Sequence, residues 1–159
     1  MTVIPASAEL VRNAAEAAGL SIHVVEVPGT ARTAQEAADS VGSTVGQIVK
    51  SLVFRGRDSA KPYLLLVSGD NRVNEKAVAR DIGEALERPD AAYVREVTGF
   101  AIGGIPPLGH AQPMAIYMDE DLLAKDEIWA AAGTPRCVFA TNPQALREAT
   151  GATVICVKG

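Results

Sequence analysis

Apolar positions along the chain fall into short stripes of helical spacing and short runs of strand character, with few long stretches of either. Over 7–18, Leu10, Val11, Ala14, Ala15 and Ala18 line one helical face, with Ser7 placed as cap and Gly19 as stop. The spacing predicts strands over 21–27, 48–55, 63–68, 114–118, 128–131, 136–140 and 152–157, bounded by glycine, proline and asparagine. Between them, Thr33-Ala34-Gln35-Glu36 forms a capping box that opens a helix to Ser40. Asn74 caps a helix ended by Gly83, Asp90 caps one to Val97, and Thr141-Asn142-Pro143-Gln144 reads as a second capping box before a helix that Gly151 ends. A helical turn covers 121–125. The segment 98–113 holds four glycines and three prolines and cannot be a regular element. Helices and strands alternate too loosely for a doubly wound parallel sheet. An α+β fold is expected, with about seven strands in a mixed sheet, curled like a barrel, and five short helices around it.

Length and composition narrow the function. The 159 residues suit one domain over 1–159, and 48% hydrophobic content supplies a core without disulfides or a structural metal. A net charge of −4 argues against binding long duplex DNA, and 4% aromatics against stacking successive bases on aromatic platforms. Cys137 and Cys156 form no CxxC pair, and His23 and His110 stand far apart, so no zinc site and no cofactor is expected. Both cysteines read as buried small hydrophobes. The start, Met1-Thr2-Val3-Ile4-Pro5, lacks the pattern of a signal peptide, and no apolar run approaches a membrane span. A cytoplasmic protein is expected.

Two features carry candidate chemistry. Strand alternation puts Lys50 with Ile48, Leu52 and Phe54 on the more apolar face, away from Val49, Ser51, Val53 and Arg55. A lysine there either meets an anion, such as a phosphate or carboxylate, or snorkels from an edge strand. The loop Thr98-Gly99-Phe100-Ala101-Ile102-Gly103-Gly104-Ile105-Pro106-Pro107-Leu108-Gly109-His110 joins glycines that permit unusual backbone to prolines that stiffen it. It either presents backbone N–H groups to a ligand or is a tight structural turn; it has neither the lysine of a P-loop nor the GxGxxG spacing. His110 is either a base or substrate contact or a structural residue. Asp119-Glu120-Asp121 reads as a solvated helix start and Trp129 as core or interface.

Taken together, Gln47-Ile48-Val49-Lys50-Ser51-Leu52-Val53-Phe54, then Leu66-Val67-Ser68-Gly69-Asp70 leading to Glu75-Lys76, then the glycine-proline loop through Gly109, resemble the YbaK/ProX family of prolyl-tRNA editing domains. The likeness runs in order through about 20–157, and the loop is its most specific mark. The resemblance implies a barrel-like mixed sheet ringed by helices. It implies hydrolysis, in trans, of the ester joining a wrong small amino acid to proline tRNA, with no metal and no enzyme nucleophile. Lys50 would hold the 3′ end, at the phosphate of the terminal adenosine, and the backbone of Gly103 through Pro107 would orient the aminoacyl group. On this resemblance Lys50, Gly103 and Gly104 take the catalytic place, and Ser51, Ile105, Pro106, Pro107 and His110 the substrate-binding one. Partners would be the acceptor end of mischarged proline tRNA and prolyl-tRNA synthetase. The chain departs from the family's cysteine-clearing branch, which has serine at Pro106, and from its alanine-clearing branch, which has asparagine at Ser51. The residues alone leave open a non-catalytic module that binds a nucleotide, a tRNA end or DNA through Arg12, Arg32, Lys50, Arg55 and Arg72, and a structural adaptor around Trp129.

Overall fold

Caps and glycine stops set most of the helices. The computed structural model describes residues 4–29 and 31–159, so the reading of residues 1–3 lies outside the described part. Helix α1 (Ala6–Ala17) starts on Pro5, whose extended backbone gives its carbonyl to Glu9; Ser7 sits inside the first turn and caps nothing, contrary to expectation. Thr33 and Glu36 form the expected capping box at α2 (Ala34–Val41), and Asn74 and Asp90 cap α3 (Glu75–Ile82) and α4 (Ala91–Thr98). At α5 (Pro143–Thr150) the cap is Asn142, which accepts from the Ala145 N–H at 3.0 Å. Thr141 is instead the last residue of a strand, so the expected box is a single Asn cap followed by proline.

Eight strands occur among the described residues, one more than expected, and they form two sheets rather than one curled barrel. Strands β1 (Val24–Glu26), β7 (Cys137–Thr141) and β6 (Ile128–Ala131) pair antiparallel in the order β1-β7-β6. The second sheet has the order β4-β2-β3-β5-β8, from β2 (Val49–Gly56), β3 (Pro62–Ser68), β4 (Leu86–Glu87), β5 (Ala115–Asp119) and β8 (Thr153–Ile155). It is antiparallel at β4, β2 and β3 and parallel at β3, β5 and β8. It does not close because its edges are the two-residue β4 and the three-residue β8, too short to carry a ladder onward. One isolated bridge, Ile48 to Trp129, links the sheets. Strand β1 is shorter than the expected 21–27, although Val27 still donates to the Arg136 carbonyl.

Strand β3 is central and buried on both faces. Leu64 and Leu66 enter the main core with Met118, Leu122, Phe139 and Leu146, while Tyr63, Leu65 and Val67 meet Phe54, Val78 and Leu86 on the other side. Each fully buried leucine contributes about 1.5–3 kcal/mol. Cys137 is buried as expected; Cys156 is only half-buried, because it follows β8 in the C-terminal turn rather than extending the strand. No helix among the described residues is long and apolar enough to cross a membrane.

Candidate functional site

The site forms where β2 lacks a neighbour. Gly69 donates to the Ile48 carbonyl and Gly56 to that of Lys61, and both pairs fall on the register that matches Lys50 with Val67 and Leu52 with Leu65. Bonded and non-bonded pairs alternate in an antiparallel ladder, so Lys50, Leu52 and Phe54 bond β3 while Val49, Ser51, Val53 and Arg55 turn their N–H and C=O groups outward. On that outer side β4 takes Arg55, and the Ile48–Trp129 bridge brings β6 to the start of the strand. Among the described residues nothing pairs with the outward groups of Ser51 and Val53.

Two clefts open along this bare edge and share Lys50, Ser51, Leu52, Ile102 and Ile105. The smaller, about 380 Å³, is walled by Ala34, Ala37 and Val41 of α2, by Trp129 and Val138, and by Arg32 and Gly103 at its mouth. The larger, about 630 Å³, runs past Val53 and Phe54 to Val73, Pro89 and Val94, with Arg72 and Arg88 on its rim.

Lys50 is half-buried, and its Nζ donates to the Asn71 carbonyl at 2.5 Å. Desolvation first, and the Arg72 guanidinium second, lower its pKa, while Asp119 and Asp70 pull it back up. The turn that supplies this carbonyl is clamped from below. The Asn71 side-chain amide donates to Asp119 at 2.7 Å and to Asp121 at 2.8 Å, and the fully buried Asp119 carboxylate also accepts from the Ser68 N–H. Asp119 and Asp121 thus belong to the scaffold under Lys50 and not to a merely solvated helix start. Ser51 Oγ is buried and has no hydrogen-bond partner. A buried hydroxyl without a protein partner costs stability unless an ordered water or a ligand satisfies it.

The two loop glycines differ. Gly103 lines the smaller cleft with φ +101°, a backbone that favours glycine, and its N–H has no partner among the described residues. Gly104 is buried behind it. A Cβ there would lie 2.7 Å from the Thr134 backbone, its N–H is held by Ala101 and its carbonyl by Gly133, so its requirement is close packing. Ile105 lines both clefts; Pro106 and Pro107 are buried and line neither. His110 also lines neither: its Nε2 donates to the Pro106 carbonyl at 2.7 Å, and burial lowers its pKa. The structure therefore brings Lys50, Ser51, Gly103 and Ile105 together, and sets Gly104, Pro106, Pro107 and His110 behind them as the loop's support.

Of the basic residues singled out in the sequence, Arg32, Lys50 and Arg72 border the clefts, whereas Arg12 pairs with Glu9 and Arg55 with Glu87. Sequence reasoning missed Arg88 and the exposed Ile102, and it left Trp129 as core or interface although it walls the smaller cleft.

Comparison with known proteins bears on the family and the fold. A solved structure described as a "putative trans-editing enzyme for prolyl tRNA synthetase" is 49% identical and superposes with a TM-score of 0.92 over 99% of each chain. The uncharacterized protein YwhH of Bacillus subtilis is 29% identical over 125 residues, 79% of each chain. The proline–tRNA ligase of Kosmotoga olearia is 37% identical over 102 residues, 62% of this chain but 17% of the ligase, so the match covers only a small part of that protein. The aminoacyl-tRNA editing domain family matches residues 29–149, which include Lys50, Ser51 and the whole glycine-proline loop. The chain belongs to this family, in its YbaK/ProX-like group.

Proposed function

We propose that the chain is a single-domain, trans-acting deacylase in the cytoplasm that hydrolyses the ester of a mischarged small amino acid on proline tRNA. The observation that carries the reading is that Lys50, Ser51 and Gly103, which bring an ammonium, a hydroxyl without a protein partner and a backbone N–H without one among the described residues, all line the clefts beside the bare edge of β2. The likeness, over 99% of each chain, to the structure described as a "putative trans-editing enzyme" supports action in trans. Lys50, its head fixed by the Asn71 carbonyl, holds the phosphate of the terminal adenosine. The Gly103 N–H donates to the ester carbonyl oxygen as negative charge grows on it, and Ile105 and Ser51 contact the aminoacyl group. Pro106 and Pro107 stiffen the loop, with Gly104 and His110 packed behind. The alanine-rich wall of the smaller cleft takes the side chain. Water adds to the ester carbonyl carbon; the bond from that carbon to the ribose oxygen breaks, and the ribose oxygen takes up a proton, leaving free amino acid and an uncharged 3′ end. A pocket shaped by methyl groups separates amino acids differing by one methylene only weakly, about 10–200-fold, so more than one small amino acid is expected to be released. Selection of the proline tRNA is a separate matter, assigned to docking with prolyl-tRNA synthetase.

The test is incubation with proline tRNA charged in turn with alanine, serine, cysteine, threonine and proline. Release of amino acid from at least one mischarged species, with little from the proline form, is expected. Binding of the tRNA end without release from any species would favour a non-catalytic binding module.

A further inference from the structure

The deacylase reading leaves the outward groups of Ser51 and Val53 without a role. They form a short gap in an otherwise occupied edge, bounded by the Ile48–Trp129 bridge and by the Arg55–Glu87 pair. Two outward residues are too few to seat an added peptide strand, which needs a run of alternating pairs. They suit a smaller partner. On an extended edge the carbonyl of one outward residue and the N–H of the next stand side by side, and together they match a planar ring that shows a donor beside an acceptor. Adenine does so with its N6 amine and N1, and cytosine with its N4 amine and N3, while hypoxanthine, guanine and uracil show the reverse order.

The surroundings select a nucleotide. The larger cleft lies along this edge, with apolar walls from Leu52, Pro89 and Ile102 for the faces of a base and with Lys50, Arg72 and Arg88 beside them for phosphates. It adjoins the smaller cleft through shared residues, so a base here would sit next to the ester.

We propose that the bare edge of β2 reads the terminal adenine of the tRNA, the Ser51 carbonyl accepting from the N6 amine and the Val53 N–H donating to N1. This deepens the deacylase reading and rests on it. It assigns recognition of the last base to backbone, where no side-chain motif would reveal it. Val53 then matters for its N–H and not for its side chain.

The test compares deacylation of a mischarged tRNA ending in adenosine with the same tRNA ending in purine riboside, inosine or 7-deazaadenosine. Loss of the amine is expected to lower kcat/KM about 10-fold and the reversed pattern of inosine more than 30-fold, with 7-deazaadenosine unchanged. Equal rates for the adenosine and inosine ends would overturn the proposal while leaving the deacylase reading intact. If even the adenosine-ended substrate is stable, the deacylase reading fails, and amide NMR decides the edge separately. Adenosine 5′-monophosphate is expected to shift the Val53 amide and inosine 5′-monophosphate not to; an amide that answers neither, or both alike, overturns the proposal. Val53→Pro removes the outward donor without breaking the β3 ladder and is expected to narrow the preference for adenosine over inosine to the part carried by the Ser51 carbonyl, about 10-fold.

Discussion

The two ends of strand β2 are built from the same backbone, each with one buried polar side-chain atom lacking a hydrogen-bond partner, Ser51 Oγ and Arg55 Nε, but their outer edges are treated in opposite ways. At the Arg55 end the outer edge is covered by β4, and the adjoining hairpin is tied down by Glu84, which accepts from the Asp58 and Ser59 N–H groups, the Ser59 hydroxyl and the Tyr63 hydroxyl. Those four donors, the two hydroxyls foremost, push the Glu84 carboxyl down to about 2. At the Lys50 end the edge is bare, the Ser51 hydroxyl is buried without a partner, and the ammonium holds a single carbonyl. Polar groups that satisfy one another hold a fold together. Polar groups without a protein partner beside a cleft are the ones open to water or to a ligand.

The contrast can be broken most severely at Gly104. An alanine Cβ there would meet the Thr134 backbone, and Gly104→Ala is expected to cost about 1–3 kcal/mol of stability by overpacking, read as a lower urea midpoint, with activity lost only through unfolding. Gly103→Ala should show the reverse ranking. Its Cβ would find ordinary contacts with Arg32 and Pro135 but an unfavourable φ at the mouth of the cleft, so deacylation falls about 10-fold while the melting temperature moves less than in Gly104→Ala. The sequence alone suggests activity loss at both glycines; the structure divides them.

Glu84→Gln tests the structural end of β2. The melting temperature should fall and kcat/KM stay unchanged in the folded fraction. Because the folded carboxyl titrates near 2 and an ordinary one near 4.5, its stabilisation is present above pH 4.5 and is lost as pH falls toward 2. Melts of Glu84→Gln should therefore converge on those of the parent at the acid end. The smallest effect is expected at His110. Burial lowers its pKa, so the unfolded chain binds the proton more readily, and stability declines as pH falls below the ordinary imidazole value, about 6.5. Urea midpoints at neutral and mildly acid pH would show the decline, and His110→Gln, which keeps a donor for the Pro106 carbonyl, should flatten it.

Much of the fold is legible in local signals along the sequence. The Thr33–Glu36 box, the Asn74 and Asp90 caps and the stops at Gly83 and Gly151 depend on neighbours within a few residues, and each stands where the pattern puts it. The two-residue β4 is too short to carry a period, and the failure of the sheet to curl follows from such short edges, which periodicity does not register. The site divides along the same line. Lys50 stands out because one strand's alternation places it among apolar neighbours. Its clamp runs through Asn71 and Asp119, nearly 50 residues apart, and the bare edge at Ser51 and Val53 exists only because β4 and β6 stop short of it. Pairing between distant segments decides both, and so does the difference between adjacent Gly103 and Gly104, which turns on the position of Thr134.

The most direct test of the claim that the bare end of β2 is the reactive one is the deacylation rate of Lys50→Ala beside the parent, on whichever mischarged proline tRNA the parent hydrolyses fastest. A fall of at least about 10-fold, or ~1.4 kcal/mol of transition-state stabilisation, is expected, with an unchanged melting temperature and poor rescue by Lys50→Arg. An unchanged rate in a folded Lys50→Ala protein would contradict that claim.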